Sequence, residues 1–156
     1  MSDSSSRTVA VHRQFIIMSV LRNLDLVDAP MISIIDDDPS VREATDGLVR
    51  SLGYQAVTFA SAEDFLQSDR VDETACLITD VQMPGLSGVE LQRVLVARGN
   101  HTPMIFITAF MEEKTRRRAL DAGAIGFLGK PFDEARLIEY IETALQDRQG
   151  ERPVVS

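Results

Sequence analysis

The sequence predicts an α/β fold: a five-stranded parallel sheet with helices on both faces. Three observations carry that prediction. Five short apolar runs recur along the chain, amphipathic stretches of helical period lie between them, and capping residues and glycines punctuate the joins. Each crossover must return the chain to the same end of the sheet, so the strands are parallel and both faces are covered. The 156 residues, 44% hydrophobic and 26% charged, suit one globular domain whose core needs no disulfide or structural metal.

Residues 1–30 are read as an N-terminal extension. Phe15, Ile17, Met18, Leu21 and Leu24 recur there at near-helical spacing and predict a short amphipathic helix from about Arg13 to Val27. The periodic body spans 31–145. Its first apolar run is Ile32 to Ile35, followed by a helix with Asp38 as N-cap, Pro39 at its first position and Gly53 as its stop. Gln55 to Phe59 forms the second run. Ser61 with Asp64, and Ser87 with Glu90, are capping patterns that open the second and third helices around the third run, Cys76 to Thr79. Met104 to Ile107 and Ala124 to Leu128 are the fourth and fifth runs. Gly99 and Gly123 close the third and fourth helices, and Leu137, Ile138, Ile141, Ala144 and Leu145 give the last helix its buried face. Residues 146–156 are read as a polar tail.

Composition narrows the function classes. Sixteen basic and 24 acidic residues leave a net charge of −8, which argues against non-specific nucleic-acid or anionic-membrane binding. Cys76 is the only cysteine, so no internal disulfide or Cys-rich zinc site is available. The apolar stretch from Gln14 to Leu21 falls short of the roughly 20 residues of a spanning helix, and Arg22 stands where a signal peptide would need small residues. The expected compartment is the cytoplasm, with no membrane partner.

The chemistry concentrates at the strand ends, where parallel α/β sheets bind their ligands. The first run leads into Asp36-Asp37-Asp38, the third into Asp80, the fourth into Thr108 and the fifth into Lys130 after Gly129. Only the second ends blandly, and an order of 2-1-3-4-5 would put it outside. A triple aspartate is ordinarily a solvated face or a cap, and Asp38 is read as the cap. A lone Asp after a strand is often a turn former. The coincidence of several such groups on one edge favours a site. Asp36, Asp37 and Asp80 would repel one another in a small cleft unless a divalent cation relieved them, and oxygen ligands with room for water suit Mg²⁺ or Mn²⁺. A carboxylate beside such an ion can attack a phosphoryl group to form an acyl phosphate, with the Thr108 hydroxyl and Lys130 ammonium binding the phosphoryl oxygens.

The segments Ile34-Ile35-Asp36-Asp37-Asp38, Leu77 to Gly88 with its Asp80-Val81-Gln82-Met83-Pro84-Gly85 core, Ile107-Thr108-Ala109 and Gly126 to Phe132 resemble the receiver domain of two-component response regulators. The resemblance covers about Met31 to Leu145. It implies a flavodoxin-like, doubly wound sheet in the order 2-1-3-4-5, with Asp80 as phosphoacceptor. It implies Mg²⁺ held by Asp36 or Asp37, by Asp80 and by the backbone carbonyl of Gln82, a cis Lys130–Pro131 peptide bond, and Phe127 as the aromatic switch partner of Thr108. Such a protein assists its own phosphorylation and dephosphorylation and is not otherwise an enzyme. In receivers the positions of Gln82 and Phe110 influence dephosphorylation, and the Phe110 ring is expected to shield the site from water.

The implied partners are a sensor histidine kinase or phosphotransfer protein and a downstream protein, with room for a homodimer on phosphorylation. Arg116 to Arg118 and Tyr140 are candidate partner contacts; direct DNA binding is not expected. Few residues follow the last helix, so the expectation is a stand-alone receiver. Two competing readings come from other classes. A haloacid-dehalogenase-type phosphatase would use Asp36 and Asp38 as its Asp-x-Asp pair, with Thr108 and Lys130 as later motifs, but leaves Asp80 without a role. A receiver-like module that binds without being phosphorylated would be marked by loss of a key position, and none is lost.

Overall fold

The computed structural model describes residues 29–150. The helix expected between Arg13 and Val27 therefore lies outside the described residues. Strands β1 (Met31–Ile35), β2 (Gln55–Phe59), β3 (Thr74–Asp80), β4 (Met104–Thr108) and β5 (Gly126–Gly129) alternate with helices α1 (Pro39–Ser51), α2 (Ala62–Gln67), α3 (Gly88–Ala97), α4 (Glu113–Asp121) and α5 (Glu134–Gly150). All strand pairs are parallel and the order is β2-β1-β3-β4-β5.

Strand alternation divides the core between the two faces. Ile32, Ile34, Cys76, Ile78, Ile105, Ile107 and Leu128 point one way and pack with Val49 of α1 and Leu137, Ile141 and Ala144 of α5. Ile35, Leu77, Phe106 and Phe127 point the other way, against Ala62 and Phe65 of α2, Leu91 and Leu95 of α3 and Ala119 of α4. Burying both faces is why these strands read as continuous apolar runs rather than as alternating ones. Cys76 sits within the central strand, and its burial pushes the thiol up to about 12.

Local signals set the boundaries. Asp38 caps α1 by accepting the Ser40 N–H at 2.9 Å. Ser61 accepts the Asp64 N–H at 3.0 Å, while Ser87 and Glu90 form a full capping box at α3. Gly53, Gly99 and Gly123, all at positive φ, end α1, α3 and α4. Three elements differ from the sequence reading. β3 starts at Thr74 because the Thr74 and Ser33 hydroxyls bond each other at 2.6 Å, so a polar pair is buried at no cost in unmet hydrogen bonds. β5 starts at Gly126 instead of Ala124, because the Ala124 N–H is used by the Ala119 carbonyl in closing α4. α5 continues past Leu145 to Gly150.

Candidate functional site

Register brings the strand-end residues together. Ile35 pairs with Thr79, so Asp36 and Asp80, the residues next in line, lie beside each other on adjacent strands. Asp80 in turn pairs with Ile107, and Thr108 with Gly129, which sets Thr108 and Lys130 on the same edge. The ladder carries on past the strand ends through Val81 N–H to Ile107 O at 3.1 Å and Lys130 N–H to Thr108 O at 2.7 Å. The Lys130–Pro131 peptide bond is cis.

Lys130 Nζ stands between the two buried carboxylates, 3.0 Å from Asp36 Oδ2 and 3.0 Å from Asp80 Oδ2. Its side chain is 15% exposed and those of the aspartates 4%, so the triad is largely shielded but open on one side. Asp37 stands exposed at the rim. Carboxylate oxygens of Asp36, Asp37 and Asp80 all lie within 4.8 Å of one another. This is a compact set of hard oxygen donors, one of them solvent-facing, and it fits a small divalent cation that keeps some of its water.

The electrostatics are uneven. Burial pushes the Asp80 carboxyl up to about 6, with the neighbouring Asp36 charge adding to the rise, although its hydrogen bond from Lys130 pulls the other way. Burial alone would lower the Lys130 ammonium, but its hydrogen bonds to Asp80 and Asp36 and their charges outweigh that and hold it above the ordinary lysine value. Asp36 is further fixed by accepting the Asp38 N–H at 2.9 Å.

The remaining predicted residues fall around this triad. Gln82 is exposed in the loop after β3, and its N–H donates to Asp80 Oδ1 at 3.3 Å. Thr108 is fully buried; its hydroxyl donates to the Phe110 carbonyl and accepts the Phe110 N–H, each at 3.1 Å. Phe127 lies inward, 7% exposed, with its ring 5.8 Å from that of Phe106. Phe110 lies two residues past Thr108 in the loop before α4. Thr108 pins its backbone, and the residue is 71% exposed. Asp38 is spent on capping α1 and is exposed, which removes the second acid that a phosphatase of the Asp-x-Asp type would need.

Three residues that sequence reasoning passed over also shape the site. Arg42 of α1 donates from Nη1 to the Asp36 carbonyl at 2.6 Å. Gly88 opens α3 against the strand end, where a Cβ would overlap the Asp80 carbonyl oxygen. Glu63 of α2 accepts the Leu86 N–H at 2.8 Å. A basic residue in the first turn of a helix, where the dipole disfavours it, was the available signal for Arg42.

The profile of the response regulator receiver domain matches residues 32–142. The chain belongs to that family. The response regulator protein TmoT of Ectopseudomonas mendocina is 43% identical over 74% of this receiver's chain and 53% of its own. Nodulation protein W of Bradyrhizobium diazoefficiens is 37% identical over 81% of the chain and 57% of its own. The chain thus spans about half the length of the curated relatives it matches. Among solved structures, the receiver protein from Pseudoalteromonas atlantica superposes with a TM-score of 0.71 at 30% identity, covering 76% of this chain and 99% of that one. The receiver fold accounts for the strand order and for the position of the acidic edge, and it disfavours the phosphatase reading.

Proposed function

We propose that this receiver works in the cytoplasm and accepts a phosphoryl group on Asp80 from a phosphohistidine of a sensor histidine kinase or phosphotransfer protein. The observation that carries this is the Asp36–Lys130–Asp80 triad at the carboxyl edge of the sheet, with Asp37 beside it. In the transfer, an Asp80 oxygen forms the new bond to phosphorus as the N–P bond breaks, and the departing imidazole takes up a proton. Asp36, Asp37, Asp80 and the Gln82 carbonyl would hold Mg²⁺, which when bound neutralises charge on the transferring group. Lys130, already aimed at Asp80, is placed to donate to a phosphoryl oxygen, and the Thr108 hydroxyl can supply a second donor.

Signal output follows from what Thr108 gives up. Its hydroxyl now holds the Phe110 backbone at the entrance to α4, so turning toward a phosphoryl oxygen would release that loop and alter the packing around Phe127. The surface affected is that of α4, β5 and α5, where Arg116 to Arg118 and Tyr140 are the proposed contacts for a downstream protein or a second copy. Incubation with acetyl phosphate and Mg²⁺ followed by intact mass should show addition of one phosphoryl group, lost in Asp80→Asn and in EDTA. Labelling that survives either change would refute the assignment, and a native chain that is never labelled would favour a receiver-like binding module.

A further inference from the structure

The loop between β3 and α3 is held at its base and at its tip by different parts of the molecule. At the base, the Gly88 N–H donates to the Val81 carbonyl at 2.9 Å, and the bare Cα of Gly88 lets α3 sit against the Asp80 carbonyl. The tip is held from outside, across 23 residues of sequence. Glu63, half-buried in the first turn of α2, accepts the Leu86 N–H on Oε2 at 2.8 Å. Gly85, at φ 80°, carries the chain so close over this carboxylate that a Cβ there would overlap Oε2. Gln82 lies between the two anchor points. Its own N–H reaches Asp80 Oδ1 at the long distance of 3.3 Å, the side chain of the next residue, Met83, is buried in the core, and the rest of the run to Leu86 follows the path of the loop.

We infer that Glu63 is a positioning residue for the cation site: by holding Leu86 it fixes the run from Gln82 to Leu86 and so the aim of the Gln82 carbonyl. The inference rests on the proposed role of that carbonyl as an Mg²⁺ ligand. Asp80 itself is held by the β3 ladder and by Lys130, so loss of Glu63 should loosen the carbonyl ligand while leaving the acceptor in place. Groups that orient a metal ligand without touching the metal commonly change its affinity by about 10–100-fold. A carboxylate in the first turn of α2 also meets the positive end of a helix, which is a purely structural service. Asp64 on the same turn, exposed to solvent, offers that service without reaching the loop and is the natural control.

The test is a Mg²⁺ titration of the full chain followed by amide NMR at Gln82 and Leu86, with thermal melts in metal-free buffer alongside. Glu63→Ala should weaken Mg²⁺ about tenfold. Glu63→Gln keeps an acceptor oxygen for the Leu86 N–H and should recover most of that loss, whereas Asp64→Ala should stay at the native affinity. Native affinity in Glu63→Ala, whatever its melting temperature, overturns the inference; so does an equal loss in Asp64→Ala or in Glu63→Gln, which would mark a long-range charge effect. A native chain that shows no Mg²⁺ response, or an Asp80→Asn chain that responds like the native one, overturns the site itself and the role of Glu63 with it.

Discussion

Lys130 is the residue on which the site balances. It satisfies two buried carboxylates with one ammonium, which leaves a net negative charge in a poorly solvated place, and Asp80 bears the consequence. Because its folded-state value stands near 6, above the ordinary 3.8, the native chain holds an extra proton between about pH 4 and pH 6. Stability from this group is therefore present below that window and lost as pH rises through it. Asp80→Asn should raise the unfolding free energy at pH 7 without metal, on the order of 1–3 kcal/mol, with the gain shrinking toward pH 4. Urea melts across that range check it, and an Asn variant less stable than the native chain at pH 7 would contradict a strained carboxylate cluster. At this scale the acidic triad, Thr108 and Lys130 were legible in the sequence because each directly follows an apolar run. Glu63 was not, because it acts on a backbone N–H 23 residues along the chain and no local pattern records such a contact; for Arg42 the one signal was its basic charge in the first turn of α1.

Among the elements, α4 is lightly held, with one buried side-chain bond to it, from Gln92 of α3 to the Ala119 carbonyl at 3.0 Å. Ala119 is its buried residue, Glu112 at its N-cap makes no side-chain capping bond, and its ion pairs, from Arg116 and Arg117 to Glu113, lie at the solvent surface where each contributes little. A helix anchored this lightly is the one that a change at Thr108 can shift at small cost. Thr108→Ala should leave Asp80 able to bind beryllofluoride, which stands in for the phosphoryl group, while reducing the amide shifts that spread to α4 and Phe127. Identical distal shifts in the variant and the native chain would mean that another route carries the signal. The sequence located the helix ends that depend on one side chain, such as Asp38, Ser61 and Ser87 with their following positions. It misjudged the start of β5, where Ala124 is apolar and strand-like yet its N–H is already committed to α4, and it cut β3 short because the Thr74 hydroxyl is matched by a distant Ser33. The first error comes from a helix-closing bond five residues back, the second from a partner 41 residues away.

For the molecule as a whole, the sheet separates duties: its two faces supply the stability, and its carboxyl edge spends some of it. Mass action should return part of that expense when a cation binds the folded state alone. At Mg²⁺ a hundred times its dissociation constant the gain is about 2.7 kcal/mol, or roughly 5–10 °C in melting temperature for a domain of this size. Calorimetry with and without Mg²⁺ checks this, and Asp80→Asn should lose most of the rise; an equal rise in both would place the bound ion elsewhere. The single thiol offers an independent reading of the same quantity. Cys76 is buried to 0% exposure between the two helical layers, its proton held tightly, so a thiol reagent can reach it only when the sheet opens. The chain therefore carries its own clock for opening of the central strand. Its modification rate in native buffer, slowed by Mg²⁺ and quickened by urea, would report how much of the chain has its central strand open without any label having been introduced.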